Sequence, residues 1–308
     1  MLIDYILENA KKRYGTIQGR KIFCGASCQD CTNPQCNEKN CYNCLHSIHW
    51  PQKAREEGFP PREYDCVNMA DYYVLQFSLR YASEILYAWG NAAQNKNYEM
   101  SVLSIGCGPC TDLFAFDYLL QKKQIASLNY YGTDLNYNGV WTRLHNDIKN
   151  YALGKYKIHF NYGNADDLFD DLDSFGVIPN VIVFQYVFSD MVNRFSKLKT
   201  QKYIRNVAKY VNDVMPVPSV IIMNDINTPT VDDCFSYMAK NIASEIRYID
   251  IARYFYSNFK KGETKKSGTI YETNDLLFSD IIDISDYDDF SPLKYCASAQ
   301  RIIVTGRK

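Results

Sequence analysis

The chain has 308 residues, 46% hydrophobic and 22% charged, with a formal net charge of −1. That length supports one large domain with a smaller attachment, and the balanced charge lacks the Lys and Arg excess of a protein that coats nucleic acid. No stretch approaches the roughly 18 apolar residues of a membrane span, and the start, Met1-Leu-Ile-Asp4, is an acidic amphipathic pattern rather than a signal peptide.

Residues 1–18 read as a helix with Leu2, Ile3, Ile6 and Leu7 on one face. Residues 20–65 are polar, contain prolines and show little periodicity. Within them, Cys24, Cys28, Cys31, Cys36, Cys41, Cys44, His46 and His49 place eight thiol or imidazole groups in 26 residues. Tetrahedral Zn²⁺ takes four such ligands, so the run can fill one or two structural sites. A segment this polar would draw its folding free energy from the metal. Cys66 is a spare ligand. Eleven cysteines without an export signal suit a reducing, cytoplasmic setting, where cysteine clusters hold metal rather than disulfides.

Residues 66–90 carry Tyr72, Leu75, Leu79, Ala82, Ile85, Leu86 and Trp89 at helical spacing, and 91–100 read as a linker. From 101 the pattern alternates. Strands are expected near 101–105, 128–134, 156–161, 180–186, 219–225, 247–255 and 298–306. Helices are expected near 110–123, 137–150, 166–172, 196–213 and 230–243. The expectation is an α/β fold, a doubly wound seven-stranded sheet over 96–308, preceded by a helical, cysteine-rich region over 1–95.

The first of these strands, Val102-Leu-Ser-Ile, stops in Gly106-Cys107-Gly108-Pro109 and opens a helix. Glycines let a backbone approach a ligand closely, and a helix N-terminus offers unpaired N–H groups. An acid, Asp134, ends the next strand 28 positions after Gly106, where it can accept from ribose hydroxyls. A dinucleotide fingerprint needs a third glycine three residues after the second, and that position is Thr111. Pro109 suits the first helical turn, where a missing N–H costs nothing.

In these motifs the chain resembles the class I S-adenosylmethionine (SAM)-dependent methyltransferases. The resemblance implies that Gly106, Cys107 and Gly108 wrap the amino-acid end of SAM. Asp134 would then hold the ribose, and Leu135 would pack on the adenine. The segment from Tyr162, with Asn164, Ala165 and Asp166, is similar to the family's adenine-binding segment, with Asn164 at the position of an acid or amide. The closing stretch Ala297 to Gly306 looks like the family's antiparallel seventh strand, slipped between strands five and six. Cys107 and Cys110 form a C-x-x-C pair open to two readings, metal ligation or close packing against the cofactor.

Substrate-facing residues of the family follow the fourth strand, which points to Gln185, Tyr186 and Asp190 as catalytic or substrate-contacting candidates. Asp190 is the one plausible base among them, although it can also cap a helix. The segment has no Asn/Asp-Pro-Pro-aromatic motif and no Pro-Cys nucleophile, against methylation of exocyclic amines or C5 of DNA bases. Asn224, Asp225 and Asn227 form a second polar cluster after the fifth strand. RNA is the favoured methyl acceptor, because a zinc module before such a domain resembles the layout of some ribosomal RNA methyltransferases. Residues 20–65 balance six basic against six acidic side chains, which leaves small-molecule and protein acceptors open. Two alternatives remain beside this reading. One is a non-catalytic SAM-binding module. The other is radical SAM or iron–sulfur chemistry on Cys24, Cys28 and Cys31, against which stand Asp30 and the doubly wound pattern.

Overall fold

The computed structural model describes residues 1–18, 41–50, 55–58, 63–64, 66–92, 98–136, 139–163, 168, 178–242, 247–255 and 268–306. Among them are helices α1 (Leu2–Gln18), α2 (Cys41–His49), α3 (Val67–Ala92), α4 (Thr111–Gln121) and α5 (Thr142–Ala152). Helices α6 (Phe188–Arg194), α7 (Lys197–Asp213) and α8 (Pro229–Ile242) follow. The strands are β1 (Glu99–Ile105), β2 (Ser127–Asp134), β3 (Lys157–Tyr162), β4 (Val181–Gln185) and β5 (Val220–Asp225). The last three are β6 (Arg247–Tyr254), β7 (Thr269–Ile270) and β8 (Ala299–Gly306), with a 3-10 helix over Ile284–Phe290 between β7 and β8. No helix of the described residues is long and apolar enough to cross a membrane.

The chain forms two compact units that interleave in sequence, and helix α3 contributes to both. One contains Met1–Leu79, Asn136–Leu153 and Phe278–Leu293. Its α1 buries Leu2, Ile3, Ile6, Leu7 and Ala10 completely, the face expected from their spacing. Asp71, also buried, accepts hydrogen bonds from Arg13 (3.0 Å from Nε, 2.8 Å from a terminal nitrogen) and from Arg143. Arg13 reaches Asp147 as well, at 2.6 Å. Burial pushes the Asp71 carboxyl up, and the two guanidiniums pull it back. Helix α5 starts at Thr142 rather than near 137. Asn136 accepts from the Trp141 N–H at 2.8 Å and bonds Thr142 Oγ1 at 3.0 Å, so its amide organises a turn ahead of the helix.

The other unit contains Arg80–Leu135, Gly154–Leu277 and Lys294–Lys308. It is built on one sheet of order β3-β2-β1-β4-β5-β8-β6-β7. Strands β1 to β5 are parallel, and β8 lies antiparallel between β5 and β6. Val181 to Phe184 of β4 and every residue of β5 are buried, the near-continuous apolar run of a strand covered on both faces. Phe184, Phe188, Ile204, Val207, Phe235 and Met238 fill one side of the core with α7 and α8.

The sheet has eight strands where seven are expected. The addition, β7, is two residues long and pairs with Arg253 and Tyr254. Two residues carry no alternation, so nothing in the sequence announces them. The expected helix over 166–172 lies outside the described residues apart from Leu168.

Candidate cofactor site

Strand order places β1 between β2 and β4, so consecutive connections leave β1 in opposite directions across the sheet. This is the switch point of the doubly wound fold, where a crevice opens outside the carboxyl ends of the strands. The turn after β1 sits there. Gly106 adopts φ 64° and Gly108 φ 47°, both left-handed. A Cβ on Gly106 would also lie 2.9 Å from Val187 Cγ2, so the turn presses directly on the segment after β4. Pro109 and Cys110 lead into α4, and Cys110 holds φ 61° as its N-cap.

The turn is strapped to β2 by two hydrogen bonds. Cys107 N–H donates to the Thr133 carbonyl at 2.9 Å, and Gly108 N–H donates to Asp134 Oδ2 at 2.9 Å. The Asp134 carbonyl accepts in turn from Gly163 N–H at 3.2 Å. Glycine turn, acid and the segment after β3 therefore form one continuous edge. Leu135, next in the chain, is exposed.

Tyr162 pairs in register with Asp134 and leaves its ring half exposed at this edge. Burial of the rest of the ring, with Cys107, Cys110 and Asp134 nearby, pushes its phenol up to about 12, so it stays neutral. Sequence reading used Tyr162 only as the landmark of its motif. The strand expected near 156–161 stops one residue short of it, and pairing register between strands leaves no local signal. Asn164, Ala165 and Asp166 lie outside the described residues.

Gln185 and Tyr186 are brought to the carboxyl end of β4, and neither points freely into the crevice. Gln185 Oε1 accepts from Thr111 Oγ1 at 2.7 Å, while its amide nitrogen donates to the Tyr81 carbonyl at 2.8 Å. Tyr186 holds φ 58°, stacks on Tyr81 with ring centroids 4.1 Å apart, and donates to Glu84 Oε2 at 2.8 Å. Burial pushes its phenol well up, which makes it a donor rather than a base. Asp190 lies in the first turn of α6, half exposed and 2.7 Å from Arg194. Asp225 serves the first turn of that helix instead: its Oδ2 accepts from Ser189 N–H at 3.0 Å, while its Oδ1 accepts from the N–H of its own neighbour Ile226 at 2.7 Å.

Of the expected metal ligands, Cys24, Cys28, Cys31 and Cys36 lie outside the described residues, as does the side chain of His46. Cys41 and Cys44 are buried three residues apart on α2, and so share a face. His49 Nε2 meets the Tyr64 hydroxyl at 2.9 Å, with Tyr73 and Phe77 around the ring.

Fold and loop together define a doubly wound α/β protein with a glycine turn at its switch point. No protein-family model and no curated protein sequence matches the chain. Among solved structures it is similar to a putative SAM-dependent methyltransferase from Streptococcus mutans, at 12% identity and TM-score 0.41, over 72% of this chain and 47% of that one. It is also similar to a SAM-dependent methyltransferase from Archaeoglobus fulgidus, at 12% identity and TM-score 0.37, covering 73% and 94% of the two chains. A third is the plantazolicin methyltransferase BamL in complex with a triazolic desmethylPZN analog and SAH, at 14% identity and TM-score 0.42, covering 75% and 86%. The chain spans about half the length of the Streptococcus protein. Likenesses at such identity concern the fold, and the function is argued from the site.

Proposed function

We propose that the chain is a SAM-dependent methyltransferase. The observation that carries the reading is the Gly106–Gly108 turn held against Asp134 at the switch point. A carboxylate has about four acceptor positions, so Asp134 can hold the Gly108 N–H and ribose hydroxyls together. The backbone of the glycine turn then meets the amino-acid end of the cofactor, Leu135 and Tyr162 flank the adenosine, and the segment with Asn164, Ala165 and Asp166 reaches the adenine. When bound, SAM would supply an electrophilic sulfonium methyl group for in-line transfer to the acceptor, with the demethylated thioether as leaving group.

The protein's work in such a transfer is alignment. Gln185 and Tyr186 are positioning residues in this reading, because their hydrogen bonds fix the end of β4 under the glycine turn. Asp190 is the carboxylate proposed to meet an acceptor proton. Zinc on the cysteine-rich segment is a structural proposal. Two buried thiols on one face of α2 support it, and so does a histidine whose ring is oriented by a hydroxyl, as ligating imidazoles are by their outer partners.

Calorimetric titration of the full chain with SAM and with its demethylated product tests the reading, beside an Asp134→Ala control. Micromolar binding lost in the variant is expected, and labelled methyl groups can then be followed into RNA, protein and small-molecule pools to identify the acceptor. A folded protein that binds neither ligand would overturn the proposal.

A further inference from the structure

The turn that carries Gly106 and Gly108 also carries two thiols. Cys110 N–H donates to the Cys107 carbonyl at 2.7 Å, closing a four-residue turn. Such a turn holds its end Cα atoms within about 7 Å, and the two sulfurs lie within 4.8 Å of one another. A disulfide spans Cα separations of roughly 4.4–6.8 Å, a range that overlaps the turn's own limit, so closing the bond takes side-chain rotation together with a small adjustment of the turn.

Packing alone does not account for cysteine at the second position. Cys110 sits at φ 61°, ψ 43°, a left-handed conformation that glycine takes without strain. Burial pushes the Cys107 thiol well up, so it stays protonated while it is buried and reacts once the turn opens to the oxidant. Asp112 lies two residues beyond Cys110 in the chain. It is buried, its Oδ1 accepts from the Tyr130 hydroxyl at 2.9 Å, and its Oδ2 has no hydrogen-bond partner. Burial and the nearby Cys110 raise its carboxyl to about 7.

We propose that Cys107 and Cys110 form a reversible disulfide that switches the cofactor turn, with a hydroperoxide as oxidant. One thiol gives up its proton, and its sulfur attacks the peroxide oxygen. The O–O bond breaks, leaving a sulfenic acid and, after proton transfer, water. The second sulfur then forms the S–S bond and a second water departs. In sum, two thiols and hydrogen peroxide give one disulfide and two waters. An external dithiol reverses the change by exchange.

The effect on the cofactor rests on the methyltransferase reading. Cys107 Sγ fills the space over Gly132, where a Cβ would lie 2.9 Å from it and 2.9 Å from Phe160 Cδ1. Drawing that sulfur toward Cys110 turns the residue between the two glycines and moves the Gly108 N–H off Asp134. The oxidised turn therefore binds SAM more weakly.

The test treats the full chain with hydrogen peroxide, alkylates the remaining thiols under denaturing conditions, and digests with trypsin. Both cysteines fall in the single peptide from Asn97 to Lys122. Mass spectrometry is expected to find this peptide without alkyl labels after oxidation and with two after dithiothreitol. Affinity for the demethylated cofactor should fall at least about tenfold in step and recover on reduction. Two labels surviving peroxide would overturn the proposal, as would a metal ion that co-purifies on the pair and shields it. So would an equal, reversible loss of affinity in Cys110→Ala. A disulfide that forms in a protein with no cofactor affinity in either state would support the bond while overturning the cofactor reading.

Discussion

Gly108 donates its backbone N–H to Asp134 Oδ2 across 2.9 Å, joining residues 26 apart in sequence. The donor belongs to the turn after β1 and the acceptor ends β2. A short strap between adjacent parallel strands thus fixes the shape of the turn, and in the proposed methyltransferase reading this preorganisation saves ordering entropy on SAM binding.

Replacing the acceptor tests that strap. Asp134→Ala removes a charge-assisted hydrogen bond, worth about 1.5–3 kcal/mol. SAM affinity should fall by about 10- to 100-fold, and calorimetry reads it directly. Asp134→Asn keeps an oxygen for Gly108 and should preserve urea stability better than affinity. Wild-type affinity in a folded Asp134→Ala protein would remove the acid from the site.

Gly106→Ala combines two penalties, a left-handed φ of 64° and a Cβ 2.9 Å from Val187 Cγ2. A loss of about 1–3 kcal/mol is expected in urea unfolding. Adding Val187→Ala should return part of it by removing the clash while leaving the backbone strain. No recovery in the double variant would mean that backbone strain accounts for the whole loss.

Much of this architecture was legible because it repeats. The burial of β4 and β5, the Gly-x-Gly after β1 and the acid ending β2 all leave local signals. The closing strand Ala299–Gly306 also stood where the resemblance put it, antiparallel between β5 and β6. Long-range relationships left none. Asp71 meets Arg13 and Arg143 at sequence separations of 58 and 72, and on its own helix it reads as one acid in an apolar face. Helix α6 was missed because its seven residues make less than two turns, and Asp225, which serves its first turn, comes from another strand. The hydrogen bonds of Gln185 and Tyr186 were likewise invisible, since their partners Tyr81 and Glu84 lie about a hundred residues earlier.

Asp112 should make stability depend on pH. Its folded carboxyl is raised to about 7 by burial first, then by Cys110 nearby, with the Ser104, Tyr130 and Leu113 hydrogen bonds opposing. A raised acid binds its proton more tightly in the folded state, so its contribution is full below about pH 4 and is lost as pH rises through about 7. At 1.36 kcal/mol per pH unit the loss reaches at most ~4 kcal/mol. Urea midpoints of wild type and Asp112→Asn measured from pH 4 to pH 8 should converge at low pH and separate in favour of the variant at high pH. Parallel curves would show that Asp112 is not raised.

If the cysteine-rich segment holds zinc, elemental analysis of the purified chain should find at least one ion. Cys41→Ser or Cys44→Ser should lower that content and loosen α2. A full zinc complement in both variants would remove these two thiols from the ligand set.

Glu84 supports the end of β4 from the middle of α3. Its carboxylate, wholly buried, accepts from Arg80 Nε at 2.9 Å, Tyr186 Oη at 2.8 Å, Asn224 Nδ2 at 3.0 Å and Ala297 N–H at 3.0 Å. Asn224 in turn takes Ser298 and Gln300 at 2.6 and 2.7 Å through its Oδ1. Glu84→Gln removes the charge that balances Arg80 and turns part of the amide into a donor among donors. Breaking a buried ion pair from one side costs about 3–5 kcal/mol, whereas Tyr186→Phe removes the hydrogen bond to Glu84 and the one accepted from Arg80 at 3.3 Å and should cost about 1–3 kcal/mol. Because both act on one network, the double variant should lose less than the sum of the single losses. Additive losses in urea unfolding would mean that Tyr186 holds its left-handed backbone without Glu84, and that the stack on Tyr81 is enough to fix the end of the strand.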